Sequence, residues 1–224
     1  MIGNIRYLIN PPIIQFSPPR TGSTLLWNTL RVCFPGQTIK KAHRLKKIEK
    51  RFRTAPIIAS IRNPLDSISS SIQRYGKEPT DEVVMQQIEE YERLGMWDIL
   101  EIQNKPNVKT LKYEEFALDF TFMFRELEDF FQQPIPQQLK QQVIENYSID
   151  KVKTKSDSRG EFTNFNKEDQ IHGQHISKFS GASGYYMDFL SSKQIESIQK
   201  RLNQCFKRLT MPNHITRGIV DHIQ

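Results

Sequence analysis

Two cysteines in 224 residues, Cys33 and Cys205, give this chain no disulfide framework to staple it together. They stand far apart, each inside a segment patterned as a helix, and read as buried thiols of a reducing compartment. No window reaches the roughly 18 apolar residues of a membrane helix, and the N-terminus lacks a basic stretch followed by a long apolar one. The expectation is a soluble, cytoplasmic protein without a membrane span. Internal repeats and low-complexity tracts are missing too. Negative charge is the scarcer sign: 25 Asp plus Glu face 32 Lys plus Arg, a formal net charge of +7 with a pI of about 9.4. Such a surface draws anionic ligands. The length suits one sizeable core, so residues 1–224 read as a single domain.

What is present is an alternation of apolar runs and helical periodicities. That is the pattern of an α/β fold, a mainly parallel sheet flanked by helices. Strands are expected at residues 13–16, 38–41, 55–61 and 107–116, and helices at 23–34, 80–104, 124–131, 136–147 and 192–209. After Arg62 three start signals fall in register: Asn63 as N-cap, Pro64 at the first helical position and Asp66 in the first turn. In this helix Leu65, Ile68, Ile72 and Tyr75 form an apolar stripe, and Asn63, Ser67, Ser70, Ser71 and Arg74 line the polar faces. Ile195, Ile198, Leu202, Cys205, Phe206 and Leu209 share one face of the last helix. Residues 151–180, polar and without period, read as a long loop.

The first strand runs into its helix through SPPRTGSTLL, a turn of small hydroxyl residues and one glycine. Such a turn leaves backbone N–H groups pointing outward at the helix start, where they can hold phosphate. The turn is not the GxxxxGK[ST] loop of nucleoside triphosphate enzymes. With Gly22 as the second glycine, Ser17 stands where the first belongs and Ser23 where the lysine belongs, and the basic residue, Arg20, comes earlier. No later strand ends in an aspartate suited to magnesium.

Through PPRTGSTLL the chain resembles the sulfotransferase family, in which a Lys or Arg, small residues, a Gly and paired hydroxyls follow the first strand. The family's further motifs follow in order from about residue 13 to 190. IIASIRNPLDSISSS resembles its 3′-phosphate element and supplies Arg62 and Ser70. IKKAHR resembles its Lys-Thr-His stretch and supplies Lys41 and His43. LKYEEF is similar to its strand ending in Tyr-Glu-Asp and brings in Tyr113. SGASGYYMDFL resembles its Lys-Gly-x-x-Gly-x-Trp element, with Gly181 and Gly184 on the glycines, Tyr186 in the tryptophan's place, Ser180 in the lysine's, and Lys178 as a substitute charge. The chain departs from the pattern at Leu25 and Ile149, where the family often has aromatics against adenine, and at Gln132 and Gln133.

The resemblance implies a P-loop NTPase-like three-layer sandwich that uses 3′-phosphoadenosine 5′-phosphosulfate as co-substrate and requires no metal. It implies that Arg20, Thr21, Gly22, Ser23 and Thr24 hold the 5′-phosphosulfate, that Arg62 and Ser70 hold the 3′-phosphate, and that Tyr113, Lys178, Ser180 and Gly181 complete the donor site. His43 would take the proton of an acceptor hydroxyl or amine, and Lys41 with Arg20 would neutralise the leaving oxygen. A neutral imidazole and a nearby cation suit those roles. Two other classes stay open: a kinase with a diverged loop, and a non-catalytic anion-binding module with no use for His43.

The basic runs at 40–53 and 151–155 carry no interleaved aromatics for stacking bases, so no nucleic-acid partner is expected. His172 and His175 lack the further ligands of a zinc site and are assigned to a loop closing over donor or acceptor. Arg20 and His43 stand only 23 positions apart. The wall of the acceptor pocket is therefore expected from the helix starting at Thr80 and the 151–180 loop, for a small-molecule or glycan acceptor.

Overall fold

The computed structural model describes residues 11–48, 54–176 and 181–208. Four strands, β1 (Ile13–Phe16), β2 (Ile39–Ala42), β3 (Ile57–Ile61) and β4 (Val108–Lys112), form a parallel sheet in the order β2-β1-β3-β4. Helix α1 (Ser23–Cys33) carries the chain from β1 to the β2 edge. Helices α2 (Pro64–Arg74), α3 (Asp81–Tyr91) and α4 (Trp97–Ile102) carry it from β3 to the β4 edge. The path thus reverses between β1 and β3. In an open parallel sheet, that reversal leaves a crevice at the carboxyl ends of the strands, where ligands bind.

β1 and β3 are buried on both faces, as central strands under helices must be. Ile14, Phe16, Ile57, Ala59 and Ile61 point into a core shared with α2, α3, α4, α9 (Tyr186–Phe189), α10 (Ser192–Arg201) and α11 (Asn203–Arg208). Ile13 and Ile58 point the other way, into a core with α1, α5 (Tyr113–Phe116), α6 (Phe120–Phe131) and α7 (Gln137–Tyr147). Each fully buried aliphatic side chain contributes about 1.5–3 kcal/mol to holding these layers. Cys33 and Cys205 are buried free thiols, one in each core.

The α/β architecture matches expectation, and the differences have local causes. The strand expected over 107–116 ends at Lys112, where Tyr113 starts the short helix α5 and buries Phe116 beneath Gly22. The helix expected over 80–104 is broken by a π segment, Glu92–Met96, in which Gly95 has φ 98°. Part of the supposed loop 151–180 is the helix α8 (Ile149–Arg159), whose polar sequence hides the period and which buries only Val152 and Ser156. The last helix is divided at Leu202, and Leu209 lies outside the described residues. Tyr75 is 49% exposed rather than part of the α2 stripe, because the helix ends at Arg74.

Candidate active site

All four strands deliver their following residues to one cavity of about 470 Å³ at the carboxyl end of the sheet. β1 leads to Arg20, Gly22, Ser23 and Thr24; β2 contributes Lys41 and leads to His43; β3 leads to Arg62, Ser70 and Arg74; β4 leads to Tyr113. No Asp or Glu is among the lining residues.

The turn after β1 is stiffened from below. Gln15 Nε2 donates to Ser17 Oγ, which lies 2.6 Å from Ser60 Oγ, and Thr21 Oγ1 donates to the Pro18 carbonyl (2.8 Å) while lying 3.0 Å from Ser60 Oγ. The Thr21 side chain is fully buried in this network and does not line the cavity. Of Arg20, Thr21, Gly22, Ser23 and Thr24, Thr21 is the one that does not line the cavity. Gly22 caps α1 with φ 81°, and a Cβ there would stand 2.7 Å from both the Tyr113 and Phe116 rings. No side chain caps the first N–H groups of α1, and its first turn holds no acidic residue, so the positive end of the helix opens onto the cavity.

The cations that line this space fall into two groups by their partners. In the first, Arg62 stacks over the Tyr113 ring at 4.3 Å and donates through Nη2 to the carbonyls of Gly181 (3.1 Å) and Ala182 (2.8 Å). Its Nε is buried and has no hydrogen-bond partner among the described residues. Asp66 holds the same 181–184 turn by accepting the Gly184 N–H on both carboxylate oxygens at 3.0 Å. Arg20, with φ 64°, donates through Nε to Ser70 Oγ (3.0 Å) and through Nη2 to the His175 carbonyl (2.9 Å). Burial, with the charge of Arg62, pushes its guanidinium down to about 10.

In the second cluster Lys41 Nζ donates to Thr24 Oγ1 at 3.0 Å, and burial with the charge of Arg74 pushes the ammonium down to about 8. His43 Nδ1 donates to the Ser17 carbonyl at 2.6 Å. Burial lowers its pKa, the Ser17 bond opposes that shift, and Lys41 and Arg74 add to it, so the ring is neutral at pH 7 with Nε2 left as an acceptor. The chain after His43 is pinned by the Leu45 N–H donating to Asp98 Oδ2 at 2.6 Å, and Gly95 packs against the His43 carbonyl.

Residues 160–176 lie over the cavity as a strap. Asp169 takes two hydrogen bonds from Arg159, at 2.9 and 2.8 Å, and its carbonyl accepts from Asn28 Nδ2 of α1 at 2.7 Å. Within the strap His172 stacks against Phe162 (4.7 Å, 9°) and Phe165 (4.4 Å, 30°), and its ring lies parallel to that of His175. Among the described residues no three His, Cys, Asp or Glu gather as ligands for a metal ion.

A family model described as "Sulfotransferase domain" matches residues 41–210, well over half of the chain. The chain belongs to the sulfotransferase family. It is thereby an enzyme of the class that transfers sulfo groups. Solved structures agree in fold. A mouse sulfotransferase complexed with PAP superposes with TM-score 0.66 at 14% identity, covering 88% of this chain and 84% of the other. Retinol dehydratase with retinol and PAP gives TM-score 0.62 at 12% identity over 88% and 82%. The same dehydratase with androsterone and PAP gives 0.60 at 12% over 88% and 80%. No curated protein sequence matches the chain.

Most residues singled out in this sulfotransferase from sequence come together: Arg20, Gly22, Ser23, Thr24, Lys41, His43, Arg62, Ser70, Tyr113 and Gly181 all line the cavity. So do Leu25 and Ile149. Lys178 and Ser180 fall outside the described residues. Arg20 turns to Ser70 rather than joining Lys41 beside His43. Of the two expected acceptor walls only 151–180 contributes, through Val152, Phe165, Gln170, Ile171, His172, His175 and Ile176; no residue of α3 or α4 lines the cavity. Sequence reasoning placed Arg74 only on a polar helix face, although its spacing of four from Ser70 puts both on one side of α2. Among the described residues no helix is long and apolar enough to cross a membrane.

Proposed function

We propose that this enzyme transfers a sulfo group from 3′-phosphoadenosine 5′-phosphosulfate to an acceptor hydroxyl, with His43 as general base. One observation carries the reading: an uncapped helix N-terminus, four cations and a neutral histidine with a free Nε2 converge on a cavity that no carboxylate among the described residues lines. These residues fit a nucleotide with phosphate at both ends, since the buried Arg62 Nε lacks a partner and the α1 N–H groups are uncapped. PAP bound in the neighbouring folds supports the same choice of donor.

The N–H groups of α1 with Ser23 and Thr24 hold the 5′-phosphosulfate. Arg62, Ser70 and Arg20 hold the 3′-phosphate, and Leu25 and Ile149 cover the base. Fixing both ends orients the sulfur. The donor supplies an electrophilic sulfur joined through oxygen to a phosphate that leaves. His43 Nε2 takes the acceptor proton as the acceptor oxygen forms its bond to sulfur. The electron pair of the broken bond goes to the phosphate oxygen, where the Lys41 ammonium stabilises it.

Calorimetric titration with PAP, beside ATP with magnesium, tests the reading. Micromolar PAP binding that Arg62→Ala abolishes and ATP does not reproduce is expected, with His43→Ala binding PAP yet losing turnover. Tight ATP binding without a PAP signal would reassign the site to phosphoryl transfer.

A further inference from the structure

Arg74 is not needed by the donor contacts assigned above. It projects from the last turn of α2 into the cavity, with its guanidinium 4.1 Å over the Phe162 ring of the strap. Its Nε is buried and unpaired among the described residues, and no carboxylate there forms an ion pair with it. It lies one helical turn beyond Ser70, within the electrostatic reach of Lys41, His43 and Arg20, and over the strap that lines the cavity with Phe165, His172 and His175. It thus stands beside His43 and the strap, where the proposed acceptor would lie. Burial and Arg20 push it down to about 9, which marks a guanidinium lacking a counter-charge. The same cavity has apolar and aromatic lining from the strap in Phe165, Ile171 and Ile176. A buried cation without a partner is costly, and an anionic ligand relieves that cost through charge-assisted hydrogen bonds.

We infer that the acceptor carries an anionic group of its own, a carboxylate, phosphate or sulfate ester, which Arg74 binds while the acceptor's hydroxyl faces His43. The inference rests on the sulfo-transfer reading and narrows its acceptor class to anionic hydroxyl compounds. Arg74 is then a specificity-determining residue.

The test uses the full-length enzyme saturated with PAP and matched probes: 4-hydroxyphenylacetate against its methyl ester, and N-acetylglucosamine 6-sulfate against N-acetylglucosamine. Binding to the PAP complex is read by calorimetry, and turnover by transfer of labelled sulfo group. At least one anionic member should bind more tightly than its neutral partner by about tenfold or more, the scale of a charge-assisted hydrogen bond. Arg74→Gln should collapse that ratio towards one, and Arg74→Lys should restore part of it. PAP affinity reports separately on the donor site and on folding: its loss in the wild type would overturn the sulfo-transfer reading instead. With PAP binding intact, the absence of any anionic preference, or a preference that survives Arg74→Gln, overturns the inference.

Discussion

Gly95→Ala is a sharp probe of how the fold sets His43, the proposed general base. Gly95 has φ 98° in the π segment between α3 and α4, and a Cβ there would overlap the His43 carbonyl oxygen. An L-residue at such a φ costs about 1–2 kcal/mol. Forcing a methyl group against a backbone oxygen adds roughly 1–3 kcal/mol, since neither strand end nor helix can retreat freely. Gly36→Ala is the matched control: φ is 87°, yet a Cβ would meet nothing within 4 Å among the described residues. It should carry the conformational cost alone. Urea unfolding should therefore show Gly95→Ala less stable than Gly36→Ala by about 1–3 kcal/mol. Because the overlap falls on His43, kcat should drop by an order of magnitude or more if this residue is the proposed base. PAP affinity, set at the Arg62 end, should change little. Equal stability losses and an unchanged kcat would refute the claim that this contact positions His43.

The pH dependence of kcat/KM should be bell-shaped. Activity needs His43 neutral, so the acid limb lies below the ordinary histidine value of 6.5 because burial lowers this ring. Activity also needs Lys41 charged, so the alkaline limb lies at about 8 and moves upward in kcat once an anionic donor faces it. Asp169→Ala should destabilise the protein by about 3 kcal/mol and speed proteolysis of residues 160–176, because Arg159 loses its paired hydrogen bonds in a mostly buried setting. For Asp169, burial pushes the pKa up, but bonds from Arg159 and the Ile171 N–H outweigh that and hold it low. Its contribution is accordingly present above the ordinary 3.8 and lost as pH falls through the lower folded value, which an acid-unfolding series of wild type and Asp169→Ala would register.

The donor half of the site was legible because each piece is local. Arg20 to Thr24 follow an apolar strand directly, and Arg62 precedes an N-cap, a proline and an acidic first turn that fix the start of α2. Ser70 and Arg74 then share a side of that helix by spacing alone. What periodicity did not reveal is what a residue meets across space. Thr21 reads as one residue of the phosphate loop, and nothing in the sequence shows that Ser60, from another strand, draws its hydroxyl into the floor of that loop. Gly95 reads as an isolated glycine in a helix until His43 lies against it. Arg74 reads as surface charge until Phe162 covers it.

The short interval between Arg20 and His43 explains why the acceptor side depends so heavily on distant chain. α1 and β2 take 15 of the 22 residues between them, leaving only the short connections 21–22 and 34–38. The wall comes from the strap, and the strap is fastened to α1, with Asn28 and Arg31 donating to the carbonyls of Asp169 and Glu168. One helix thus presents its N-terminus to the cavity and its flank to the strap. The His175 carbonyl closes the circuit by accepting from Arg20, a donor-side cation. The two halves of the site are built on a shared support, so loosening the strap should weaken PAP binding as well as acceptor binding. An increase in the PAP dissociation constant of Asp169→Ala, a residue that does not line the cavity, would register that coupling.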